Sequence, residues 1–325
     1  MKRGTGVHSA EGSSSATATR SRFTAEASQR AAETLRGVLL LTAGCGRRAE
    51  PLSFLRPKSL LPWGGGTVLG RLAREAGGLG GRLAANASRC PGLIRAEIEA
   101  AAGRACEVFF EPRPLGVVGT LARLGAAGGA DGAWLVLNTD MVTDLDFGSM
   151  VKEHFGKGAS WTAATGDFPP GGAYGALRVS PDGSFGCSSG RPRHYLGASV
   201  IGSAVMRMAS ELRTGTMFVD LAGLASGSGH RLASWESGAA WMDIGTPGAY
   251  RRALLSTGSR IDPSAVIEPG ATLEGSWFVS AGCSVKAGTL LRDSVMLDGS
   301  SLVSGSIVDD VLPWFFERSG RVGDA

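Results

Sequence analysis

The chain has 325 residues, 43% of them hydrophobic, and 33 Lys and Arg against 29 Asp and Glu give a formal net charge of +4. Such a length suits one large α/β domain with a smaller appendage. A charge this mild, spread rather than striped along one face, argues against a nucleic-acid partner, and no apolar run approaches the ~20 residues that cross a bilayer.

Residues 1–36 are rich in Ser, Thr, Ala and Arg and poor in large apolar side chains. They read as a disordered tail without the apolar region of a secretory signal. Five cysteines, Cys45, Cys90, Cys106, Cys187 and Cys283, lack C-x-x-C spacing, which argues against a disulfide framework or a zinc site and for a reducing, cytoplasmic setting. His8, His154, His194 and His230 are scattered and read as surface or packing residues.

The apolar run 37–41 reads as a buried parallel strand that delivers the backbone into a small-residue loop, 42–46. Gly44 and Gly46 let backbone amides approach an anion, and Arg47 and Arg48 follow with fixed positive charge. Lys58 comes after Pro57 on a segment that Pro51 and Pro57 keep from continuing as a regular helix. Together these make a phosphate cradle. The same residues satisfy the dinucleotide fingerprint G-x-G-x-x-G/A, which demands an uninterrupted helix and an acid about 20 positions on. Here Pro51 breaks the helix and Trp63-Gly64-Gly65-Gly66 fills the acid's place.

Helices are predicted over 68–76, 93–102 and 119–124, and strands over 82–86, 105–110 and 133–137, an alternation that means a parallel sheet with covering helices. The strand 133–137 should be central; Asn138-Thr139-Asp140 ends it, at the edge where open α/β sheets collect ligands. Asp140 is therefore a candidate metal ligand, whereas Asp144 and Asp146 are better placed to cap the next helix. Residues 161–200 read as several strands, one over 174–179 followed by a Pro181-Asp182-Gly183 turn. In the last part Ile261, Ile267, Leu273, Val279, Val285, Leu291, Leu297 and Val303 recur every six residues, a hexapeptide repeat that specifies a short β-helix of somewhat under three coils. The run 311–316 is expected to cap an open end.

Gly44-Cys45-Gly46-Arg47-Arg48, Pro51-Leu52-Ser53 and Pro57-Lys58-Ser59-Leu60-Leu61-Pro62 resemble the signature of the sugar-1-phosphate nucleotidyltransferases, or NDP-sugar pyrophosphorylases. Trp241-Met242-Asp243-Ile244-Gly245-Thr246-Pro247 resembles their W-x-D-I-G-T-P segment, and Leu115-Gly116-Val117-Val118-Gly119-Thr120 their L-G-T-A-G. The resemblance runs over 37 to about 308. It implies a Rossmann-like α/β nucleotidyltransferase domain with a mixed, mostly parallel sheet over 37–256, and a left-handed β-helix over 257–325 through which a homo-oligomer forms. It also implies magnesium-dependent transfer from an NTP to a sugar 1-phosphate, giving an NDP-sugar and pyrophosphate. By the same resemblance Arg48 and Lys58 are catalytic; Ala43, Gly44, Gly46, Arg47, Gly116 and Gly119 bind nucleotide; Tyr174, Gly175, Arg191 and Gly197 bind the sugar phosphate; and Asp140 and Asp243 hold Mg2+. The pairing of domains resembles mannose-1-phosphate guanylyltransferases, while 134–147 resembles uridylyltransferases acting on amino-sugar phosphates. Arg47 stands where the family has Thr or Ser, and the usual sugar-binding glutamate and asparagine are replaced by Gly190 and Tyr195. A catalytically weak paralogue that binds an NDP-sugar and regulates a partner is the alternative.

Overall fold

Alternate residues of the first strand, β1 (Leu35–Leu41), enter two different cores: Val38 and Leu40 pack on one face of the sheet and Leu39 on the other. A strand covered on both faces has no use for polar alternation, hence the continuous apolar run. Burying one such leucine contributes about 2 kcal/mol. The computed structural model describes residues 34–54, 56–168, 175–186 and 189–319. Most of the tail expected over 1–36 lies outside them, but Leu35 and Arg36 belong to β1, so the strand begins two residues before its expected start.

After the loop and a 3₁₀ turn at Arg47–Ala49, a second 3₁₀ turn at Lys58–Leu60 leads into the hairpin β2 (Pro62–Trp63) and β3 (Gly66–Thr67). The hairpin turns on Gly64 and Gly65, with φ of 57° and 85°, the mirror-image turn that only residues like glycine accept readily. Helix α1 (Val68–Gly77), β4 (Arg82–Ala87), α2 (Pro91–Ala102), β5 (Glu107–Phe110), α3 (Gly116–Leu124), β6 (Ala133–Asn138) and β7 (Met141–Thr143) follow. Then come α4 (Phe147–Gly156), β8 (Trp161–Gly166), β9 (Ala176–Val179), β10 (Arg191–Ile201), α5 (Ser203–Leu212), α6 (Ala222–Gly227), β11 (Leu232–Glu236), β12 (Trp241–Asp243) and α7 (Pro247–Leu255).

The main sheet has the order β11-β8-β10-β6-β1-β4-β5, with β9 paired to β10. Neighbours are parallel except where β10 meets β6, β8 and β9. The carboxyl ends of β1, β4, β5, β6, β8 and β11 therefore share one edge with the amino end of β10. Side chains of α1, α2, α4 and α7 cover one face, and those of α3, α5 and α6 the other.

Beyond α7 the chain forms short parallel strands that stack on one another. β13 (Arg260–Ile261), β14 (Val266–Ile267), β15 (Thr272–Val279), β16 (Ser284–Val285), β17 (Leu290–Met296), β18 (Ser301–Leu302), β19 (Ser306–Val308), β20 (Val311–Leu312) and β21 (Glu317–Arg318) pair only in parallel. Arg260 pairs with Phe278, eighteen residues on, which is three hexads. Ser284 pairs with Ser301, seventeen on, and Leu290 with Ser306, sixteen on. This shortening breaks the six-residue rule. Val279, Val285 and Leu291 are fully buried inside the stack, but Leu302 takes the interior place and leaves Val303 37% exposed. Ile261 is also exposed, and Leu297 faces the main core instead. Of the run 311–316, Val311 and Trp314 join that same core, Leu312 lies inside the stack, and Phe315 and Phe316 are exposed. Among the described residues no helix is long and apolar enough to cross a membrane.

Candidate nucleotide site at the carboxyl edge of the sheet

The loop after β1 is held from behind, leaving its front open. Asn86, the last polar side chain of β4, accepts from the Thr42 amide at 2.8 Å and the Ala43 amide at 3.2 Å through Oδ1. Its Nδ2 donates to Thr120 Oγ1 at 2.9 Å and to the buried Glu111 at 3.2 Å. Glu111 also accepts from Thr120 Oγ1 and from the Leu115 amide, at 2.7 and 3.0 Å. Ser88 Oγ donates to the Ala43 carbonyl and Ser53 Oγ to that of Gly46, both at 2.8 Å. The amides from Gly44 to Arg48 have no acceptor among the described residues, and Gly44, Cys45, Arg47 and Arg48 are exposed. Gly46 has a φ of 67°, and a Cβ there would stand 2.9 Å from Ser53 Cβ. The turn accordingly takes glycine.

Two cations and two carboxylates meet at this loop. Lys58 lies against Gly44, its Cε 3.7 Å from where a Cβ would be, and its ammonium contacts Asp140 Oδ2 at 2.5 Å. Asp140 stands between β6 and β7, fixed because Thr139 Oγ1 donates to the Leu41 carbonyl at 2.7 Å. β12 runs antiparallel to β7 with Asp243 opposite Met141, and the Ile244 amide donates to the Asp140 carbonyl at 3.1 Å. The residues at 140 and 243 thus occupy adjacent rungs of one ladder, although a century of residues separates them in the chain. Asp243 Oδ1 accepts from the Gly245 amide at 2.7 Å. That oxygen and Arg48 Nη2 lie 2.8 and 3.3 Å from the position a Gly245 Cβ would occupy.

This donor set suits a hard divalent cation. Among the described residues no group of three or more His, Cys, Asp or Glu stands ready to hold a metal alone. Asp140 already accepts a cation from Lys58, and two carboxylates leave the remaining positions to substrate oxygens and water, as magnesium prefers.

The outer half of the edge is less open. Gly197, with a φ of 81°, brings β10 so close that a Cβ would lie 2.4 Å from Met141 Sδ; its role in this fold is close approach. His194 packs edge-on against Trp241 with centroids 4.6 Å apart. Burial lowers the His194 pKa, and the Asp243 charge partly opposes this. Burial likewise pushes the Tyr195 hydroxyl up, with its bond to Ser199 opposing and the charge of Asp140 adding to the rise.

Several expected site residues have other surroundings. The Ala43 amide already serves Asn86, so only its neighbours can face a ligand. Gly119 is buried at the α3–α5 contact, where a Cβ would stand 2.7 Å from Leu115 Cβ and 3.3 Å from the Arg213 carbonyl, and its smallness serves helix packing. Gly116 is exposed, with a φ of 72°. The Arg191 side chain is 68% exposed and contacts Asp167 at 3.4 Å, whereas Arg193, which the sequence did not single out, is 6% exposed and donates to the same carboxylate at 2.5 Å. Gly175 is exposed, and Tyr174 lies outside the described residues. Asp146 caps α4 by accepting from the Ser149 amide at 2.9 Å, but Asp144 pairs with Arg71 at 2.6 Å. Asn86 and Glu111 were missed; their signal is a polar residue closing an apolar strand, the feature that marked Asp140.

The arrangement is a glycine loop with unbonded amides, flanked by Arg48, Lys58, Asp140 and Asp243, at the carboxyl edge of a mixed α/β sheet. No family model matches the chain. Among solved structures it is similar to HddC from Yersinia pseudotuberculosis, with a TM-score of 0.55 and 18% identity over 69% of this chain and all of that one. It is similar also to HddC complexed with GMP-PN, with a TM-score of 0.53 and 17% identity over the same shares. At these identities the likeness establishes the fold.

Proposed function

We propose that this chain is a sugar-1-phosphate nucleotidyltransferase, taking an NTP and a sugar 1-phosphate to an NDP-sugar and pyrophosphate. The observation that carries this reading is the meeting of Arg48, Lys58, Asp140 and Asp243 in front of a loop with unbonded amides. The nucleotide on the similarly folded HddC supports it. Transfer between phosphates calls for positioning and charge neutralisation rather than a general base, because the attacking phosphate is ionised near neutral pH. Amides 44–48 and Arg48 bind the leaving phosphates, and Lys58, steered by Asp140, offsets charge at the reacting phosphorus. Asp140 and Asp243 are the residues that would hold magnesium, which when bound neutralises oxygens of both reactants.

Guanylyl transfer to mannose 1-phosphate is the first substrate pair to try, with uridylyl transfer to an amino-sugar phosphate second. The stacked parallel strands between 257 and 319 form a left-handed β-helix and serve oligomerisation. A regulator that binds an NDP-sugar without turning it over is the second reading, favoured by the exposure of Arg191 at the position expected to clamp the sugar phosphate. Purified protein, Mg2+, each common NTP and a panel of sugar 1-phosphates separate the two. Pyrophosphate release with one pair identifies the enzyme; silence with tight NDP-sugar binding selects the regulator; absence of both removes the assignment.

A further inference from the structure

The segment that carries Arg48 and Lys58 is tied to the sheet from one short link. β1 and β4 run parallel with Leu41 beside Asn86, so the chain leaves both strands side by side, and Ser88 reaches the Ala43 carbonyl at 2.8 Å. The next residue, Arg89, reaches the far end of the same loop: Nη1 donates to the Ser53 carbonyl at 2.6 Å and Nη2 to that of Phe54 at 2.5 Å. Both bonds end on backbone oxygens rather than on a carboxylate. Between the 3₁₀ turns at Arg47–Ala49 and Lys58–Leu60 the backbone has no regular structure. Its own hydrogen bonds are local, from the Ser53 amide to Ala49, the Phe54 amide to Pro51 and Ser53 Oγ to Gly46. Among the described residues the two hydrogen bonds from Arg89 are the ones that join 50–56 to a distant part of the chain. Arg89 itself has a fixed base. Cys90 takes a left-handed φ of 49° and Pro91 opens α2, so strand on one side and helix on the other leave its backbone little freedom.

We propose that Arg89 is a positioning residue of the nucleotide site, clamping the segment between Arg48 and Lys58 so that both cations stand at the loop amides before a triphosphate arrives. A planar guanidinium fork spans two successive carbonyls, a geometry that the single ammonium of a lysine cannot reproduce. Ser53 passes the restraint on, since its carbonyl accepts from Arg89 while its hydroxyl donates to the Gly46 carbonyl at 2.8 Å. Without the fork, 50–56 samples other conformations and the competent arrangement is a fraction of the whole. Binding then weakens by that fraction, because the ligand must select the arrangement for itself. Turnover suffers less, since bound phosphates hold the same cations in place. The effect on nucleotide rests on the reading of this loop as the triphosphate site; the clamp in the free protein does not.

The test titrates magnesium tripolyphosphate and each common NTP into the full chain by calorimetry, follows hydrogen exchange over 49–61 without ligand, and measures pyrophosphate release with the active substrate pair. Arg89→Ala should weaken tripolyphosphate and NTP binding about tenfold and raise KM for the NTP by a similar factor, with kcat down by no more than about threefold. The amides of Ser53, Phe54, Leu60 and Leu61, hydrogen-bonded in the folded loop, should exchange about tenfold faster or more, with β1 and β4 unchanged. Arg89→Lys keeps the charge without the fork and should stay within about threefold of Arg89→Ala. Arg89 is exposed, so its replacement leaves the fold intact, and circular dichroism checks this. Arg95→Ala, which removes another exposed charge on α2, is the control and should bind within about twofold of wild type. Full recovery by Arg89→Lys assigns the effect to charge and overturns the clamp, as does unchanged exchange over 49–61 in Arg89→Ala. Faster exchange with NTP affinity and KM unchanged overturns the role at the nucleotide site. A wild type that binds neither tripolyphosphate nor any NTP refutes the transferase reading instead, and the exchange experiment then decides the clamp alone.

Discussion

Gly245→Ala tests the site geometry at a single point. Gly245 is buried and donates its amide to Asp243 Oδ1 at 2.7 Å. A methyl there would stand 2.8 Å from that oxygen and 3.3 Å from Arg48 Nη2, against a comfortable separation of about 3.5 Å or more. The carboxylate must retreat by roughly half an ångström and rotate away from the amide, and the guanidinium must give as well. Displacements of that order at a reacting centre cost up to about 10²-fold in rate. The variant should therefore lose about 30- to 100-fold in kcat for pyrophosphate release, while its urea-unfolding free energy falls by about 1 kcal/mol or less, since the side chains that move border open space. Gly248→Ala is the control: its nearest neighbour outside the helix backbone is Arg252 Nη1 at an ordinary 3.5 Å, and its rate should stay within about twofold. If Gly245→Ala keeps a rate within about threefold of wild type with stability unchanged, Arg48 and Asp243 do not act together at the reaction.

Three further outcomes follow from the same contacts. Gly197→Ala forces a side chain onto a φ of 81° and 2.4 Å from Met141 Sδ, so urea unfolding should show a loss of about 2–5 kcal/mol; a loss under ~1 kcal/mol would mean β10 shifts freely. Asn86→Ala strips acceptors from two buried amides and a donor from buried Glu111, with an expected cost of about 2–4 kcal/mol in the same measurement; an unchanged midpoint contradicts the account of how the loop is held. His154, fully buried with Nδ1 2.9 Å from Thr162 Oγ1, has its pKa pushed down by burial to about 4. Because the folded pKa lies below the unfolded value near 6.5, the unfolded chain alone takes the proton between these limits. Stability is then full above pH 6.5 and declines as pH falls toward 4, by on the order of 3 kcal/mol. His154→Asn should flatten that limb of the unfolding profile, and a limb of undiminished slope assigns it to other groups.

How much of the chain could be read beforehand depended on the range of the forces involved. Helix 68–76 and strand 82–86 came out within a residue of their observed ends, because periodicity and Gly or Pro punctuation act within a few positions. Short parallel strands in the last part agree with the six-residue spacing, yet the slip that buries Leu302 instead of Val303 was not foreseen. A coil shortened from eighteen residues to sixteen is set by how successive layers stack, which no single hexad records.

Loop glycines, two arginines, Lys58 and two aspartates, each at the end of an apolar strand or in a motif, were determined by the sequence alone, since strand, turn and charge are local properties. Only the tertiary structure decided that Lys58 holds Asp140, that Arg48 and Asp243 both come up to Gly245, and that Asn86 and Glu111 brace the loop. Those facts depend on β12 pairing with β7 and β4 lying next to β1. Such long-range pairings are chosen by burial summed over the whole sheet, and that sum is written in no single segment of the chain.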